Sequence, residues 1–440
     1  MYHMDAENLQ PEKQYPCVLI ISHNVLSLTG NMGKTLYACF EDWPSERLCQ
    51  LYFHSEVPTT HLCERYFRIT DMDVIRGVFQ WRKRGTKLTE YDIETGRNTT
   101  RIDQGYTAKI YQKARRRKPW MYCGRDFLWK LGSWKSKQLD RWIQECKPDV
   151  IFYASGDYTF SFDISLFISK KYNIPLVVSV VDDYYFQRPH DRGLLARYNT
   201  WRFRKTMDRT MKHAKGVFYV HPTMQKLYQT KFPINGAILY KNALPSLSQE
   251  PANDPLKIAY FGSLGLRRDE SIVEIGKTIR RLIPDGAVSL DVYSSENRPE
   301  ILEKMVEENG IRFCGAISAE DVVQKQEESN ILVFVESIVP AMHERLRCSL
   351  STKIPEYLAS NRCMLAYGPQ EAGSISYLMD HGVGCIATTP QELEKKLNEI
   401  LFSADIRRSY AEKQMEIAKK NHSAAVNHEI LRNILQKAVR

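Results

Sequence analysis

Cys348-Ser349-Leu350-Ser351-Thr352-Lys353-Ile354-Pro355-Glu356-Tyr357-Leu358-Ala359-Ser360-Asn361-Arg362 leads into the apolar run at residues 363–366 and then into Gly368-Pro369. Ser351 or Thr352 suits a helix N-cap, and Ile354-Pro355 suits a first helical turn. The run that follows is apolar at every position. A strand of that kind is buried on both faces, as in a parallel sheet covered by helices. A short helix delivering the chain into such a strand is one unit of a doubly wound fold.

Outward from this stretch the same rhythm recurs. Short apolar runs stand at residues 17–21, 150–153, 176–181 and 217–220 in the first half of the chain. In the second half they stand at 257–261, 289–292, 311–313, 331–335 and 383–386. Helical patterns lie between many of them. The expected fold class is therefore α/β, with two Rossmann-like doubly wound parallel-sheet domains. Residues 243–255, ALPSLSQEPANDP, carry three prolines and no apolar periodicity, which marks a linker. The expected domains are residues 1–245, with a basic insertion around 77–147, then residues 246–403, then C-terminal helices over 404–440. Alternation of Leu88, Tyr91 and Ile93 in the polar stretch 79–105 suggests a hairpin.

The chain has 440 residues, beyond what one hydrophobic core usually serves. Its 62 Lys+Arg exceed its 52 Asp+Glu, a formal net charge of +10. Residues 1–245 hold 38 basic and 24 acidic side chains, and the remainder holds 24 and 28, so the two halves are suited to different partners. The ten cysteines form no CxxC pair, which argues against a disulfide framework or a zinc module and for a reducing cytoplasm. No apolar run approaches the ~18–20 residues of a membrane span. Residues 1–14 lack the basic start and apolar stretch of a signal peptide. A cytoplasmic location is expected, with peripheral contact at the inner face of the cell membrane open to it.

Ligands of open α/β sheets bind beyond the carboxyl ends of the strands. Behind the first strand, Gly30, Asn31 and Gly33 mark a helix start able to receive an anion, although the spacing is not GxGxxG. Past residue 261, Gly262, Ser263 and Gly265 let a ligand approach the backbone, and Arg267 and Arg268 supply cations as a helix opens. Ser351, Thr352 and Lys353 offer hydroxyls and a cation to a phosphate, while Glu356 falls in the first helical turn and can reach a sugar hydroxyl or merely complement the helix dipole. In the first domain, Asp157 and one of Asp182 and Asp183 follow strands beside aromatic residues, which suits a sugar ring. Glu336, His221 and His343 also follow strands. No His/Cys/Asp cluster has metal spacing, so no metal site is expected.

These motifs resemble those of glycosyltransferase family 4, enzymes of the two-domain GT-B fold whose domains face across a cleft. Phe261-Gly262-Ser263-Leu264-Gly265, residues 351–359, and Ala366-Tyr367-Gly368-Pro369 carry the resemblance. The Gly30–Gly33 loop, Lys241-Asn242-Ala243 and a C-terminal helix placed to cross back to the first domain support it. The resemblance implies that Ser351, Thr352 and Lys353 meet the diphosphate of a nucleotide-sugar donor and that Glu356 meets its ribose. It implies that Gly262 and Ser263 line the same cleft, with Arg267 or Arg268 as basic contacts. It further implies sugar transfer with retained anomeric configuration, no metal and no cofactor beyond the donor. Many relatives carry two glutamates separated by seven residues. Glu356 matches the second, but Cys348 stands at the first, and Ser263 stands where many carry Arg. The Ser-Thr-Lys pattern is similar to that of bacterial surface-polysaccharide enzymes, which points to capsule, exopolysaccharide or O-antigen assembly.

On this reading Lys353 stabilises the leaving phosphate, and Asp157 or Asp183 orients or deprotonates an acceptor hydroxyl. The acceptor is a glycan or a lipid-linked glycan. The mixture of charge and aromatics at residues 113–137 and 202–205 fits an anionic membrane surface as well as it fits a solvated helix face. Two alternatives stay open: a GT-B-fold nucleotide-sugar epimerase, and a basic nucleic-acid-binding protein. The second lacks any nucleic-acid-binding signature, so nucleic acid is not an expected partner.

Overall fold

The computed structural model of the chain describes residues 15–28, 31–80, 85–89, 119–131, 134–187, 193–252 and 255–440. They form two compact units, one spanning Met1–Leu239 and His428–Arg440, the other spanning Tyr240–Asn427.

The first unit is built on strands β1 (Val18–Ser22), β2 (Leu48–Tyr52), β3 (Arg65–Arg68), β4 (Thr86–Leu88), β5 (Val150–Ala154), β6 (Leu176–Val180), β7 (Gly216–Tyr219) and β8 (Gly236–Ile238). Their order is β4-β3-β2-β1-β5-β6-β7-β8. All neighbours pair in parallel except β3 and β4, which are antiparallel. Every residue of β1, β2, β5, β6 and β7 is buried, as in a parallel sheet covered on both faces.

The second unit holds β9 (Ile258–Phe261), β10 (Leu290–Tyr293), β11 (Ile311–Gly315), β12 (Ile331–Val335), β13 (Cys363–Tyr367) and β14 (Cys385–Ala387). Their order, β11-β10-β9-β12-β13-β14, is fully parallel. With β9 counted as the first strand this is the 3-2-1-4-5-6 order of a Rossmann sheet.

The borders differ from those expected at 245/246 and 403/404. β8 is the last strand of the first sheet, and Leu239 still belongs to that unit's core. Tyr240 already packs on Tyr377 and His422 of the second unit, with ring centroids 5.5 and 5.0 Å away. The helix Ala404–Asn421 also belongs to the second unit, because its Gln414 donates to the Arg362 carbonyl and accepts from the Met364 amide at the start of β13. Only the last helix, Ala424–Val439, returns to the first unit, where Leu431, Ile434 and Leu435 join the core around Val18, Ile20 and Phe152. The hairpin expected in residues 79–105 is described only in part, through β4 on β3. Its remainder and the basic run at 101–118 lie outside the described residues. Among the described residues no helix is long and apolar enough to cross a membrane.

Candidate active site

In each sheet the strand order reverses once, between β1 and β5 in the first unit and between β9 and β12 in the second. Such a switch point opens a crevice at the strand carboxyl ends, where ligands of this fold class bind.

At the second unit's switch point the chain leaves β9 through Gly262. A Cβ placed there would lie 3.0 Å from Lys353 Cε and 3.1 Å from the Tyr260 hydroxyl, so the lysine stem passes directly over this glycine. The Tyr260 hydroxyl donates to the Ser263 carbonyl at 2.8 Å, and Ser263 Oγ accepts from the Gly265 amide at 3.1 Å, which fixes the turn. Leu266 and Arg267 then adopt left-handed conformations at φ 58° and 60°. For residues with a Cβ each costs about 1–3 kcal/mol, strain of the kind that collects at functional loops. The turn delivers the chain into the helix Arg268–Leu282.

The two arginines separate. Arg267 is exposed and pairs with Glu270 on its own helix. Arg268 reaches across to Glu336 at the end of β12, with Nε and Nη2 at 3.1 and 2.8 Å from Oε2. Glu336 is buried at 1% exposure, and burial raises its pKa against the opposing pull of Arg268 and Ser374. Gly368, after β13, makes room for it, since a Cβ there would stand 3.0 Å from Glu336 Cβ.

The helix Lys353–Leu358 starts after Ser351 and Thr352. Thr352 holds the N-cap position without a side-chain capping bond, while Ser351 Oγ accepts from the Lys353 amide at 3.4 Å. The Ser351 amide donates to Ser374 Oγ at 3.0 Å, which ties this turn to the helix Gly373–His381. Gly373 is needed there, because a Cβ would meet the Ser349 carbonyl at 2.6 Å. Glu356 faces Lys241, whose Nζ lies 2.5 Å from Oε1 and 3.3 Å from the Thr352 carbonyl. The Lys241 carbonyl in turn lies 3.1 Å from His422 Nδ1. The result is a concentration of positive charge. The pKa of Lys353 is lowered, first by burial and then by Lys241 and Arg268, while Glu356 opposes the shift. Lys353, buried near two cations that each already face a carboxylate, is the cation of this cluster left to meet an anionic ligand.

Of the residues singled out in the sequence, Gly262, Ser263, Arg268, Ser351, Thr352, Lys353 and Glu356 are therefore brought together in one unit. Arg267 joins the same loop but turns to Glu270. Lys241 and Glu336 complete the cluster. The sequence offered Lys241 only beside the linker and Glu336 only as one of several strand-end acids.

The first unit's switch point has a different chemistry. Asp157, after β5, accepts a hydrogen bond from the Tyr122 hydroxyl at 2.8 Å. Tyr158 receives the Arg125 guanidinium over its ring at 4.2 Å, and His23, after β1, packs 4.7 Å from the same ring. Burial holds His23 well below the usual histidine pKa, and its buried Nδ1 has no hydrogen-bond partner among the described residues. His23, Tyr122 and Arg125 were not singled out in the sequence. His23 is the first non-hydroxyl polar residue after a buried strand, which was the available signal. Asp183 follows the neighbouring β6, where its Oδ1 accepts from the Phe186 amide and the Tyr228 hydroxyl, both at 3.0 Å. Gly33 lies in the helix Asn31–Phe40, and a Cβ on it would meet Ser27 Cβ at 2.6 Å. Gly30 and the side chain of Asn31 lie outside the described residues.

No protein-family model and no curated protein sequence matches the chain. Solved structures do. Anabaena HepE, solved with UDP and glucose, aligns over 96% of this chain and 99% of its own, at 13% identity and a TM-score of 0.58. The α,α-trehalose-phosphate synthase (UDP-forming) of Burkholderia xenovorans, solved with glucose-6-phosphate, covers 95% and 99% at 10% identity and a TM-score of 0.56. The sucrose-phosphate synthase of Thermosynechococcus elongatus covers 95% and 97% at 12% identity and a TM-score of 0.54. With two Rossmann-like parallel-sheet units and these neighbours along nearly its whole length, the chain has the GT-B fold.

Proposed function

We propose that this protein is a glycosyltransferase that moves a sugar from a nucleotide-diphosphate sugar to an acceptor hydroxyl. UDP is the favoured nucleotide, because HepE was solved with UDP and the trehalose-phosphate synthase is UDP-forming. The observation that carries the proposal is the passage of Lys353 over Gly262 at the second unit's switch point, with Lys241 and Arg268 near enough to lower its pKa.

In the reaction the bond between the anomeric carbon and the diphosphate oxygen breaks, and a bond to the acceptor oxygen forms. The transition state resembles an oxocarbenium ion, and negative charge builds on the leaving phosphate. Lys353 and Arg268 stabilise that charge, with the amides around Ser351 and Thr352. Glu356 holds the donor ribose, and Glu336 holds Arg268 in position. Cations supplied by the protein are the basis for proposing metal-independent transfer, and the resemblance to family 4 is the basis for proposing retention. The acceptor proton passes to the leaving phosphate or to a carboxylate of the first unit, with Asp157 favoured over Asp183. Asp183 Oδ1 already serves the Phe186 amide and the Tyr228 hydroxyl. The acceptor is a glycan or lipid-linked glycan of surface-polysaccharide assembly, met at the cytoplasmic face of the membrane.

A calorimetric screen of UDP- and GDP-sugars, followed by product analysis with the best binder, tests this reading. Binding of one nucleotide sugar that is lost in Lys353→Ala is expected. Binding that survives the substitution unchanged would sink the assignment of the site.

A further inference from the structure

Beside its switch-point aromatics, with which it shares the Phe160 ring, the first unit contains a cavity of about 480 Å³ that no residue assigned to the transfer reaction lines. It lies among the helices Pro119–Lys130, Thr159–Tyr172 and Leu194–His213. Its aromatic wall includes Trp129 stacked on Phe160, centroids 4.1 Å apart, and Trp134 edge-on to Phe167 at 5.3 Å. Lys130, Lys135, Arg202, Lys205 and Arg209 line it against two carboxylates. Those carboxylates already face arginines, Asp126 at 3.5 Å from Arg202 and Asp163 at 2.7 Å from Arg209. Of the lysines, Lys135 lies 4.3 Å from the Phe167 centroid and Lys205 lies 4.9 Å from that of Trp201.

The two helices that carry Lys130 and Lys205 also carry exposed apolar stripes. On Leu194–His213, Leu194, Tyr198 and Trp201 recur at helical spacing and are 83%, 49% and 55% exposed. On Pro119–Lys130 and the residue after it, Trp120, Phe127 and Leu131 do the same at 62%, 62% and 52%. Water-facing Trp, Tyr and Leu beside lysines with long stems are the composition of a bilayer-interface surface. A solvated helix face has no use for the aromatic residues, and a nucleic-acid groove has no use for the leucines.

We propose that this face of the first unit docks on an anionic lipid bilayer, with the cavity taking the phosphate headgroup of one glycerophospholipid between Lys130, Lys135 and Lys205. Trp120, Phe127, Leu194 and Trp201 enter the interfacial layer. The surface is distinct from the donor seat, so the proposal stands or falls apart from the transferase reading.

The test is sedimentation of the full chain with phosphatidylcholine vesicles, with and without phosphatidylglycerol. The chain is expected to sediment with the anionic vesicles, less so as salt is raised, and to show a blue shift of its tryptophan emission. Lys130→Glu/Lys205→Glu, both at exposed positions, should weaken that partition by about tenfold or more, given the charge dependence of such binding, with the melting temperature unchanged. Trp201→Ala should reduce the emission shift at equal protein bound. Equal binding to neutral and anionic vesicles overturns the proposal, as does a charge-reversed variant that binds undiminished. Binding of a poly(U) RNA without vesicle binding would also overturn it, and so would self-association abolished by Leu194→Ser without vesicle binding.

Discussion

The two units share one strand-order reversal, and their switch points are filled in opposite ways. In the second unit Lys353 passes over a glycine loop beside two further cations, Arg268 and Lys241, which Glu336 and Glu356 hold in place. In the first unit a carboxylate, a tyrosine, an arginine over a ring and a neutral histidine meet. The same topology thus presents a cation-lined glycine loop in one case and an aromatic, hydrogen-bonding surface in the other. What divides the labour is the residue at each strand end. This is why a fold alone does not specify chemistry.

The sharpest way to break this contrast is Lys353→Ala. Removing a preorganised cation from a developing charge costs about 3–4 kcal/mol, so turnover should fall about 10²–10³-fold while the melting temperature holds. Steady-state assay with the best donor measures this, and near-normal turnover would mean that the two switch points do not differ as described.

Next in size is an acid effect that originates in the second unit. His422 is fully buried between the Tyr377 hydroxyl and the Lys241 carbonyl, and burial lowers its pKa from 6.5 to about 4. Below pH 6.5 the unfolded chain therefore binds more protons than the folded one. The stability is present above that pH and is lost as pH falls toward 4, up to about 3 kcal/mol. Calorimetric melting between pH 7 and 4 should show it, and His422→Phe should flatten the slope.

Arg268→Ala leaves the Glu336 carboxyl buried without its guanidinium. About 2 kcal/mol of stability should be lost, less than for a fully sealed pair because Arg268 is partly exposed, and donor affinity should fall with it. Arg268→Ala/Glu336→Gln should recover the melting temperature but not the affinity. If both return, Arg268 is structural only.

The smallest effect belongs to the first unit. Tyr122→Phe removes one hydrogen bond to Asp157, worth about 1 kcal/mol, and should slow transfer several-fold without changing donor affinity. A change in donor affinity instead would erase the division between the two switch points.

Much of the fold was legible because β5, β12 and β13 are apolar at every position and β1 and β6 at all but one serine each. β2 was not, because Gln50 interrupts LCQLY. That glutamine is fully buried and satisfied by the Leu26 amide, Ser22 Oγ and the Asn24 carbonyl, partners that sequence does not reveal. β3 was hidden likewise by Arg65 and Arg68, the latter buried with Nη1 on the Ser55 carbonyl. The loop after β9 and the turn before Lys353 could be read from residue types alone. The choice between Arg267 and Arg268 could not, since it depends on Glu336 68 residues away, nor could the pairing of Lys241 with Glu356 across 115.

The return of the last helix to the first unit has a consequence for how the protein comes into being. Leu431, Ile434 and Leu435 fill the core beneath β1 and β5, and Ile434 Cγ2 would lie 3.0 Å from a Cβ at Gly216. During synthesis from the N-terminus these residues emerge after the whole of the second unit. The first unit, though translated earlier, must wait with part of its core open until they follow, while the second unit, contiguous in sequence, can close beforehand. A chain stalled or clipped before residue 428 would therefore carry a finished second unit beside an unfinished first one, and its exposed apolar surface would mark it for chaperones or proteolysis.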